Sequence, residues 1–289
     1  MTPEPTAPGP PPLAPIPTAL APAGALRGRV GAVLFDIYGT LFISASGDIA
    51  AARSTSPQGA ALAELLARFG IQEAPEVVLA RFFDAIAADH RRAQAAGADQ
   101  PEVVIEGIWQ SVLGWESRGR TRDFALAFEL LANPVAPMPG LAETLAALRA
   151  ARLKLGLISN AQFFTPLLFS RFLGADSTAL GFDPQLVFYS YRFGVAKPSP
   201  RLFQAAAAAC RRKGLAPAAV LYVGNDVRND IRPARQTGFQ TALFAGDRRS
   251  LRLREDDPAC RGVRPDLVIT ELPQLIARCL AAETGRPAG

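Results

Sequence analysis

Lysine, histidine and cysteine are all scarce in this sequence. Of its 31 basic residues, three are lysines (Lys154, Lys197 and Lys213), and it contains one histidine and three cysteines. A single histidine gives little support to Ser-His-Asp or Cys-His catalysis. Because the cysteines are odd in number, far apart and without a CxxC spacing, we expect neither a disulfide framework nor a zinc site.

Long apolar runs are also missing. None reaches the roughly 20 residues of a membrane-spanning helix, and the N-terminus lacks the charged-then-apolar order of a signal peptide. We therefore expect a cytoplasmic protein with reduced thiols and no membrane partner. The net charge of +5 comes from scattered arginines whose densest patches, residues 211–213 and 248–254, are short. This pattern favours a solvated basic surface over nucleic-acid binding.

The remaining composition favours a folded α/β protein. Residues 1–27 are rich in proline and alanine, and each proline removes a backbone donor, so we predict a disordered or polyproline-like tail there. Beyond it, short runs of Val, Leu, Ile and Phe alternate with Ala- and Leu-rich stretches of helical period. Near-continuous apolar runs are typical of parallel strands covered on both faces. The pattern predicts a doubly wound, mainly parallel, Rossmann-like sheet.

The predicted segments follow one another along the chain. We place strands at about 30–36, 154–159, 185–189, 219–223, 240–244 and 266–269. We place helices at about 140–151, 163–173, 200–213, 229–237 and 271–282.

One interval, residues 47–135, interrupts the alternation of strands and helices. It contains four amphipathic stretches and no convincing strand. Because ligands of open α/β sheets bind beyond the carboxyl ends of the strands, an insertion after the first strand can cover that site. We therefore predict an α/β core of residues 28–46 and 136–284, with 47–135 as a helical cap.

Polar residues follow several predicted strands and should face one crevice. They are a carboxylate, a hydroxyl, an amide, an ammonium group and a polar turn, namely Asp36, Ser159, Asn160, Lys197 and the run Asn225, Asp226 and Asp230. Four segments carry them in order: FDIYGTL, ISNA, GVAKPSPRLF and YVGNDVRNDIRPARQTGF. This ordered set resembles the four motifs of the haloacid dehalogenase superfamily, a group of hydrolases that includes many phosphatases. The resemblance covers about residues 30–270, and the inserted helices resemble the C1-type cap of that superfamily.

The resemblance implies roles for these residues. Asp36 is the implied nucleophile, because a carboxylate can attack phosphorus or carbon and form a covalent intermediate. Ser159, with Asn160 beside it, would hydrogen-bond the transferring group. Lys197 would offset the negative charge of the nucleophile and the incoming group. A small molecule is the implied substrate, and the oligomeric state is left open.

The resemblance also implies a magnesium site. Phosphatases of the superfamily hold Mg²⁺ with the nucleophile, the backbone carbonyl two residues later and an acid of the fourth motif. The corresponding groups are Asp36, the carbonyl of Tyr38, and either Asn225 or Asp226. Asp230 aligns with the second acid of that motif. Oxygen ligands of this kind are those that Mg²⁺ prefers.

Two departures from the phosphatase pattern are informative. In phosphatases a second aspartate usually stands where this chain has Tyr38, and it acts as the general acid and base. A phenol with a pKa of about 10 is a poor replacement near neutral pH, whereas 2-haloacid dehalogenases of the superfamily carry a tyrosine there. The fourth motif favours the phosphatase, because Asp226 and Asp230 remain, although Asn225 follows the glycine directly.

Three functions fit this sequence. The preferred one is a Mg²⁺-dependent phosphatase acting on a small phosphorylated metabolite, which the retained acids favour. The second is a metal-independent 2-haloacid dehalogenase, which Asp36 with Tyr38 favours. The third is a non-catalytic binding protein with the same fold. Weaker candidates for substrate contact lie on the inserted helices, namely Arg92, Glu106 and Trp109, whereas His90 is interpreted as a surface residue.

Overall fold

A computed structural model describes residues 13–46 and 59–284 of the chain. The strands of this part are β1 (Ala23–Gly24), β2 (Ala32–Phe35), β3 (Phe42–Ser44), β4 (Val135–Pro137), β5 (Lys154–Ser159), β6 (Phe182–Tyr189), β7 (Val220–Gly224), β8 (Gln240–Phe244) and β9 (Leu267–Ile269). Its helices are α1 (Gly59–Arg68), α2 (Pro75–Ala95), α3 (Ile105–Leu113), α4 (Arg118–Ala132), α5 (Leu141–Ala150), α6 (Leu167–Leu173), α7 (Ser190–Phe193), α8 (Pro200–Arg212), α9 (Arg232–Gln236) and α10 (Gln274–Thr284).

The main sheet has seven strands in the order β1-β9-β8-β7-β2-β5-β6. β1 runs antiparallel to β9, and the other neighbours are parallel. Helices α5, α6 and α10 pack on one face, and α8 and α9 pack on the other. This confirms the predicted doubly wound α/β fold, and it places β2 inside the sheet, between β7 and β5.

Strand β2 shows why the apolar runs of this sequence are continuous. All four of its side chains are buried. Ala32 and Leu34 join the hydrophobic core on the face of α8, whereas Val33 and Phe35 join the core on the face of α5. A strand that is covered on both faces needs apolar residues at every position. The carboxylate of Asp36 therefore follows a strand that is fixed by packing on both sides.

Helices α1–α4, which we call the helical insertion, have a hydrophobic core of their own. Trp109 stacks on Phe82 with ring centroids 4.1 Å apart, and Phe124 and Phe128 meet the indole edge-on. The buried residues of α3 recur every three or four positions, as an amphipathic helix requires. These are the four helices that the sequence predicts, although residues 47–58 of the predicted cap lie outside the described residues.

A short ribbon at the base of the helical insertion was not predicted. β3 pairs antiparallel with β4, so the chain leaves and re-enters the core through two paired segments. Each strand has three residues, which is too few for an alternating pattern to stand out from its surroundings.

The N-terminal segment also differs from the prediction. The amide of Ile16 donates to Asp247 Oδ1 at 3.1 Å, the hydroxyl of Thr18 donates to the carbonyl of Ala245 at 2.8 Å, and β1 extends the sheet. Disorder is therefore the wrong alternative for residues 13–27, which form an extended segment bound to the core. Residues 1–12 lie outside the described residues. An extended, proline-rich segment can lie along a surface because the residues between its prolines still donate hydrogen bonds.

Among the described helices, none combines the length and apolar character needed to cross a lipid bilayer.

Candidate active site

The polar residues at the carboxyl edge of the sheet surround one cavity of about 440 Å³. Asp36 follows β2, Asn160 follows β5, Lys197 lies in the loop after β6 and α7, and Asn225 follows β7. All four line the cavity. The carboxyl ends of parallel strands meet at one edge of a sheet, which is where open α/β folds bind ligands.

Lys197 joins two carboxylates at the floor of the cavity. Its Nζ lies 2.7 Å from Asp36 Oδ1, 2.6 Å from Asp230 Oδ1 and 3.3 Å from the hydroxyl of Tyr222. Burial opposes the ammonium form, but the Asp230 and Asp36 carboxylates outweigh it and raise the pKa of Lys197. The lysine therefore stays charged at neutral pH. It fixes Asp36 by one oxygen, and within the described residues no donor reaches Oδ2.

The backbone of Lys197 is held by the side chain of Asn160. Asn160 Oδ1 accepts from the amide of Lys197 at 2.7 Å, and Asn160 Nδ2 donates to its carbonyl at 3.4 Å. Ser159 is fully buried, and its hydroxyl donates to the carbonyl of Asn160 at 3.2 Å. The structure thus places Asn160 on the cavity wall and Ser159 behind it.

Asp230 is held by donors on both of its oxygens. Oδ1 faces Lys197 and the hydroxyl of Tyr222 (3.0 Å), and Oδ2 accepts from the amides of Asn225 at 3.1 Å and Asp226 at 3.0 Å. Burial raises the pKa of Asp230 to about 6, and the charge of Lys197 acts in the opposite direction. The carboxyl group is therefore ionised at neutral pH, and all of its strong acceptor positions are used.

Asp226 begins a single π-helical turn, Val227–Ile231, and turns towards arginine. Its Oδ1 accepts from the amides of Arg228 and Asn229 at 2.8 and 3.2 Å. Its Oδ2 pairs with Nη2 of Arg254 at 2.6 Å. An aspartate at this position stabilises the first amides of the turn. Both oxygens of Asp226 are thereby engaged away from Asp36.

Asn225 bridges the first and fourth motifs. Its Oδ1 accepts from the hydroxyl of Thr40 at 3.2 Å, and its Nδ2 donates to the carbonyl of Ser250 at 2.6 Å. Gly39 makes this contact possible, because a Cβ there would lie 2.7 Å from Asn225 Nδ2, and its φ of +80° favours glycine. The amide of Asn225 is therefore a structural link between the two motifs.

Tyr38 points its phenol into a buried corner of the cavity. The hydroxyl lies 3.0 Å from the hydroxyl of Thr165. Burial, together with the nearby charges of Glu129 and Asp36, raises the pKa of Tyr38 well above its usual range. The phenol therefore stays neutral at neutral pH, where it cannot alternate between acid and base as a carboxyl group does.

The side chains do not fit the Mg²⁺ that the resemblance implies. Asp226 is paired with Arg254, Asp230 with Lys197, and Asn225 with Thr40 and Ser250. In the part of the chain that the structure describes, no three His, Cys, Asp or Glu side chains form a group that could hold a metal ion. Mg²⁺ needs near-octahedral oxygen ligands, and the fourth-motif oxygens expected among them are taken by Arg254, by Lys197, by the hydroxyl of Thr40 and by backbone amides.

The helical insertion supplies the apolar wall of the cavity. Phe82, Trp109 and Phe128 line it from α2, α3 and α4, and Phe164 lines it from the core. Two carboxyl groups interrupt this wall, Glu102 and Glu129, and burial raises the pKa of each to about 7. The cavity therefore has a charged floor on the sheet and a mainly aromatic roof.

The weaker candidates from the sequence have structural roles. Glu106 is buried and pairs with Arg118 and Arg122, which ties α3 to α4. Arg92 is exposed and pairs with Asp89 within α2. Trp109 belongs to the core of the helical insertion, although it also lines the cavity. His90 lies in α2 and is partly buried, away from the cavity lining.

Sequence reasoning missed several groups that complete the site. Tyr222 lies among apolar residues in β7, so the sequence did not indicate that its hydroxyl contacts Lys197 and Asp230. Thr165 reaches Tyr38 from a loop. Thr40 could have been found, because it lies in the first motif, four residues after Asp36.

The sheet thus carries an acid after an interior strand, β2, and a lysine that bridges this acid to a second one. The family model for haloacid dehalogenase-like hydrolases matches residues 30–238. The chain belongs to this family, and it is a hydrolase of that kind. No curated protein sequence matches the chain significantly.

Solved structures share the fold at low identity. A 2-haloacid dehalogenase from Pseudomonas syringae pv. Tomato DC3000 superposes with a TM-score of 0.57 at 21% identity, over 87% of this chain and 98% of that chain. A defluorinating L-2-haloacid dehalogenase gives a TM-score of 0.52 at 20% identity, over 87% and 96% of the two chains. These similarities show the fold.

Proposed function

We propose that the protein is a metal-independent hydrolase in which Asp36 displaces halide from a 2-haloacid. The observation that carries this proposal is the engagement of the fourth-motif side chains. Arg254 and Lys197 neutralise Asp226 and Asp230, and hydrogen bonds hold Asn225. This arrangement supports the dehalogenase alternative over the Mg²⁺-dependent phosphatase that the sequence favoured.

Asp36 has the geometry of a nucleophile. It is buried at 7% exposure, follows a rigid strand and lines the cavity. Lys197 holds Oδ1 at 2.7 Å and leaves Oδ2 without a donor in the described residues. Holding one oxygen of a carboxylate orients the other towards the bound substrate, which lowers the entropic part of the barrier.

Tyr38 limits the reaction to leaving groups that need no proton. An alkoxide leaving group gains about 10²–10⁴-fold from a general acid. The neutral, high-pKa phenol bonded to Thr165 cannot provide that help. Halide leaves as a stable anion and takes up no proton, so a neutral phenol beside the nucleophile costs this reaction little.

The charge balance of the floor also supports the proposal. Asp36 and Asp230 contribute two negative charges and Lys197 contributes one positive charge, so this group carries a net charge of −1. A phosphate dianion without a metal ion would meet repulsion there, because like charges in a site of low dielectric interact strongly. A haloacid, which carries one negative charge, would meet less repulsion.

The proposed reaction has two steps. Asp36 Oδ2 attacks C2 of the acid, the carbon–halogen bond breaks, and halide leaves with the electron pair, which gives an ester on Asp36. Water then attacks Cγ of that ester, and the bond between Cγ and the former Oδ2 of Asp36 breaks, so that this oxygen leaves as the hydroxyl of the product and an oxygen from water replaces it in Asp36. The products are a 2-hydroxy acid, halide and one proton, and Asp36 is restored.

The helical insertion serves as a cap in this proposal. Its four helices place aromatic side chains over the charged floor, and the β3–β4 ribbon joins it to the core. A roof of this kind excludes water from the site during the attack step, which strengthens the electrostatic contacts below it.

The test is halide release from a series of 2-chloro and 2-bromo alkanoic acids of increasing chain length, measured in EDTA. We expect release by the unmodified protein and none by Asp36→Asn, which keeps the size of the side chain and removes the nucleophile. In a single turnover in H₂¹⁸O, mass spectrometry should find the label in Asp36.

The control is a panel of phosphate esters with Mg²⁺, including an activated aryl phosphate. Phosphate release that EDTA abolishes, without halide release from any acid, would establish the phosphatase in place of the dehalogenase. No turnover in either panel and no label in Asp36 would establish the non-catalytic alternative.

A further inference from the structure

The loop between β8 and β9, residues 245–266, carries a row of arginines beside the cavity. Three arginines in or near it have a carboxylate partner. Arg249 pairs with Asp247 at 3.2 Å, Arg254 with Asp226 at 2.6 Å, and Arg228 with Asp257 at 3.5 Å. Their charges are therefore largely balanced within the protein.

Arg252 differs from these three. It is partly buried and lines the cavity together with Asp36. Its Nη1 donates to the backbone carbonyls of Arg249 at 2.6 Å and Leu251 at 3.0 Å. Within residues 13–46 and 59–284 it forms no ion pair, and Nε and Nη2 have no hydrogen-bond partner. A guanidinium group has five donor hydrogens in a planar fork, so most of them remain available.

The backbone fixes Arg252 next to the fourth motif. Its amide donates to the carbonyl of Asn225 at 3.0 Å, and its carbonyl accepts from the amide of Val227 at 2.9 Å. The loop is therefore hydrogen-bonded at Arg252 to the turn that holds Asp226 and Asp230. Two carbonyl contacts on Nη1 also orient the plane of the guanidinium, which reduces the entropy lost on binding a ligand.

We infer that Arg252 binds the carboxylate of the substrate. The substrate is then an acid whose sizeable apolar side chain fills the rest of the cavity. The inference deepens the proposed function and rests on it for the chemistry at C2. Arg–carboxylate contacts are frequently bidentate, which gives orientation as well as affinity. The positive charge of Arg252 also compensates the net charge of −1 on the floor.

The rest of the cavity indicates the size of that side chain. Its volume of about 440 Å³ falls within the roughly 300–1,000 Å³ of sites for drug-sized ligands. The lining also includes the aromatic side chains of Phe82, Trp109 and Phe128. A carboxylate on Arg252 would leave the apolar part of the acid against these rings. Acids with an aryl or long alkyl group should therefore bind better than three-carbon acids.

The experiment measures binding separately from turnover. The probe is 3-phenylpropionate, which carries no halogen, and its primary amide is the neutral analogue. Isothermal titration calorimetry of the full chain should give measurable binding of the acid, at least tenfold weaker binding to Arg252→Gln and partial recovery in Arg252→Lys. The amide should bind weakly to all three proteins and with equal affinity. Circular dichroism verifies that each variant is folded.

Arg248→Gln is the matched control. Arg248 lies in the same loop, is exposed and does not line the cavity, so its removal should leave the binding of the acid unchanged. For any 2-haloacid that is turned over, Arg252→Gln should raise KM at least tenfold and change kcat less than threefold.

Two outcomes would overturn the inference. One is equal affinity of 3-phenylpropionate for the unmodified protein and Arg252→Gln, including the case in which neither binds. The other is an equal loss of affinity for the acid and the amide, which would indicate a change of shape in place of a lost charge. If binding of 3-phenylpropionate requires Arg252 while no halide is released from any substrate, the proposed function is wrong. Arg252 would then still be a binding site for carboxylates.

Discussion

Glu102 offers a quantitative test of how the helical insertion is joined to the core. It lies between α2 and α3, and its Oε2 accepts from the hydroxyl of Ser190 at 2.6 Å. Its Oε1 accepts from Gln162 Nε2 at 3.2 Å and from the amide of Val103 at 3.0 Å. Burial raises its pKa from 4.5 to about 7, although the hydrogen bonds from Ser190 and Val103 act in the opposite direction.

The sign of the pH effect follows from proton binding. Between pH 4.5 and 7 the folded protein keeps the proton of Glu102 and the unfolded chain loses it. The folded state therefore binds more protons, and the free energy of unfolding falls as the pH rises through this range. Below pH 4.5 the contribution is fully present, and above pH 7 it is lost.

The magnitude follows from the two pKa values. At about 1.36 kcal/mol per pKa unit, the rise from 4.5 to about 7 corresponds to at most about 3.4 kcal/mol. Integration of the linkage relation places about 2.5 kcal/mol of this between pH 5 and pH 8. Because the side chain is partly exposed, this value is an upper bound.

The perturbation is Glu102→Gln, which keeps the shape and removes the titration. Urea unfolding at pH 5 and pH 8 should show that the stability of the variant relative to the unmodified protein is up to about 2.5 kcal/mol greater at pH 8. Glu64→Gln, at an exposed position of α1, controls for the loss of a carboxylate. A difference between Glu102→Gln and the unmodified protein that is the same at both pH values would refute the reasoning.

Three further predictions concern the floor of the cavity. Lys197→Met should abolish halide release and destabilise the protein by about 3–5 kcal/mol, because it leaves Asp36 and Asp230 buried without a cation; the measurement is urea unfolding together with a halide assay, and unchanged activity would contradict it. Tyr38→Phe should change kcat less than about tenfold, since the phenol is not used as an acid, and a loss of 10² or more in stopped-flow assays would show otherwise. Gly224→Ala should lower stability by about 1–3 kcal/mol, because the added Cβ would lie 2.4 Å from Asp230 Cγ; thermal unfolding measures this, and no change would mean that Asp230 moves without cost.

The sequence predicted the sheet well because its strands are covered on both faces. The predicted strands at 154–159 and 240–244 coincide with β5 and β8. The sequence did not predict elements that form by pairing with a segment far away along the chain. β1 has two exposed residues and forms because it meets β9, which no local pattern indicates. The predicted helix at 229–237 begins instead as a π-helical turn, because Asp226 caps the amides of Arg228 and Asn229.

The candidate site was likewise predicted in part. Asp36, Asn160 and Lys197 were predicted because each follows a strand, and the structure brings them to one cavity. The partner of each fourth-motif acid could not be predicted, since the pairing of Asp226 with Arg254 depends on the course of the loop after β8. The position of Arg252 at the cavity could not be predicted for the same reason. In sequence it is one arginine in a short basic patch, and the fold places it beside the cavity.

The contact of residues 13–18 with the loop after β8 has a practical consequence for anyone who shortens this protein. A proline-rich beginning invites removal before crystallisation or expression. Here Ile16 and Thr18 bind Asp247 and Ala245, and the carbonyl of Ile16 accepts from the amide of Arg248. A protein that starts at residue 28 would lack β1 and the hydrogen bonds that residues 16 and 18 make to the loop of Arg252. Shortened and full-length proteins should therefore be compared for ligand affinity before either is taken to represent the enzyme.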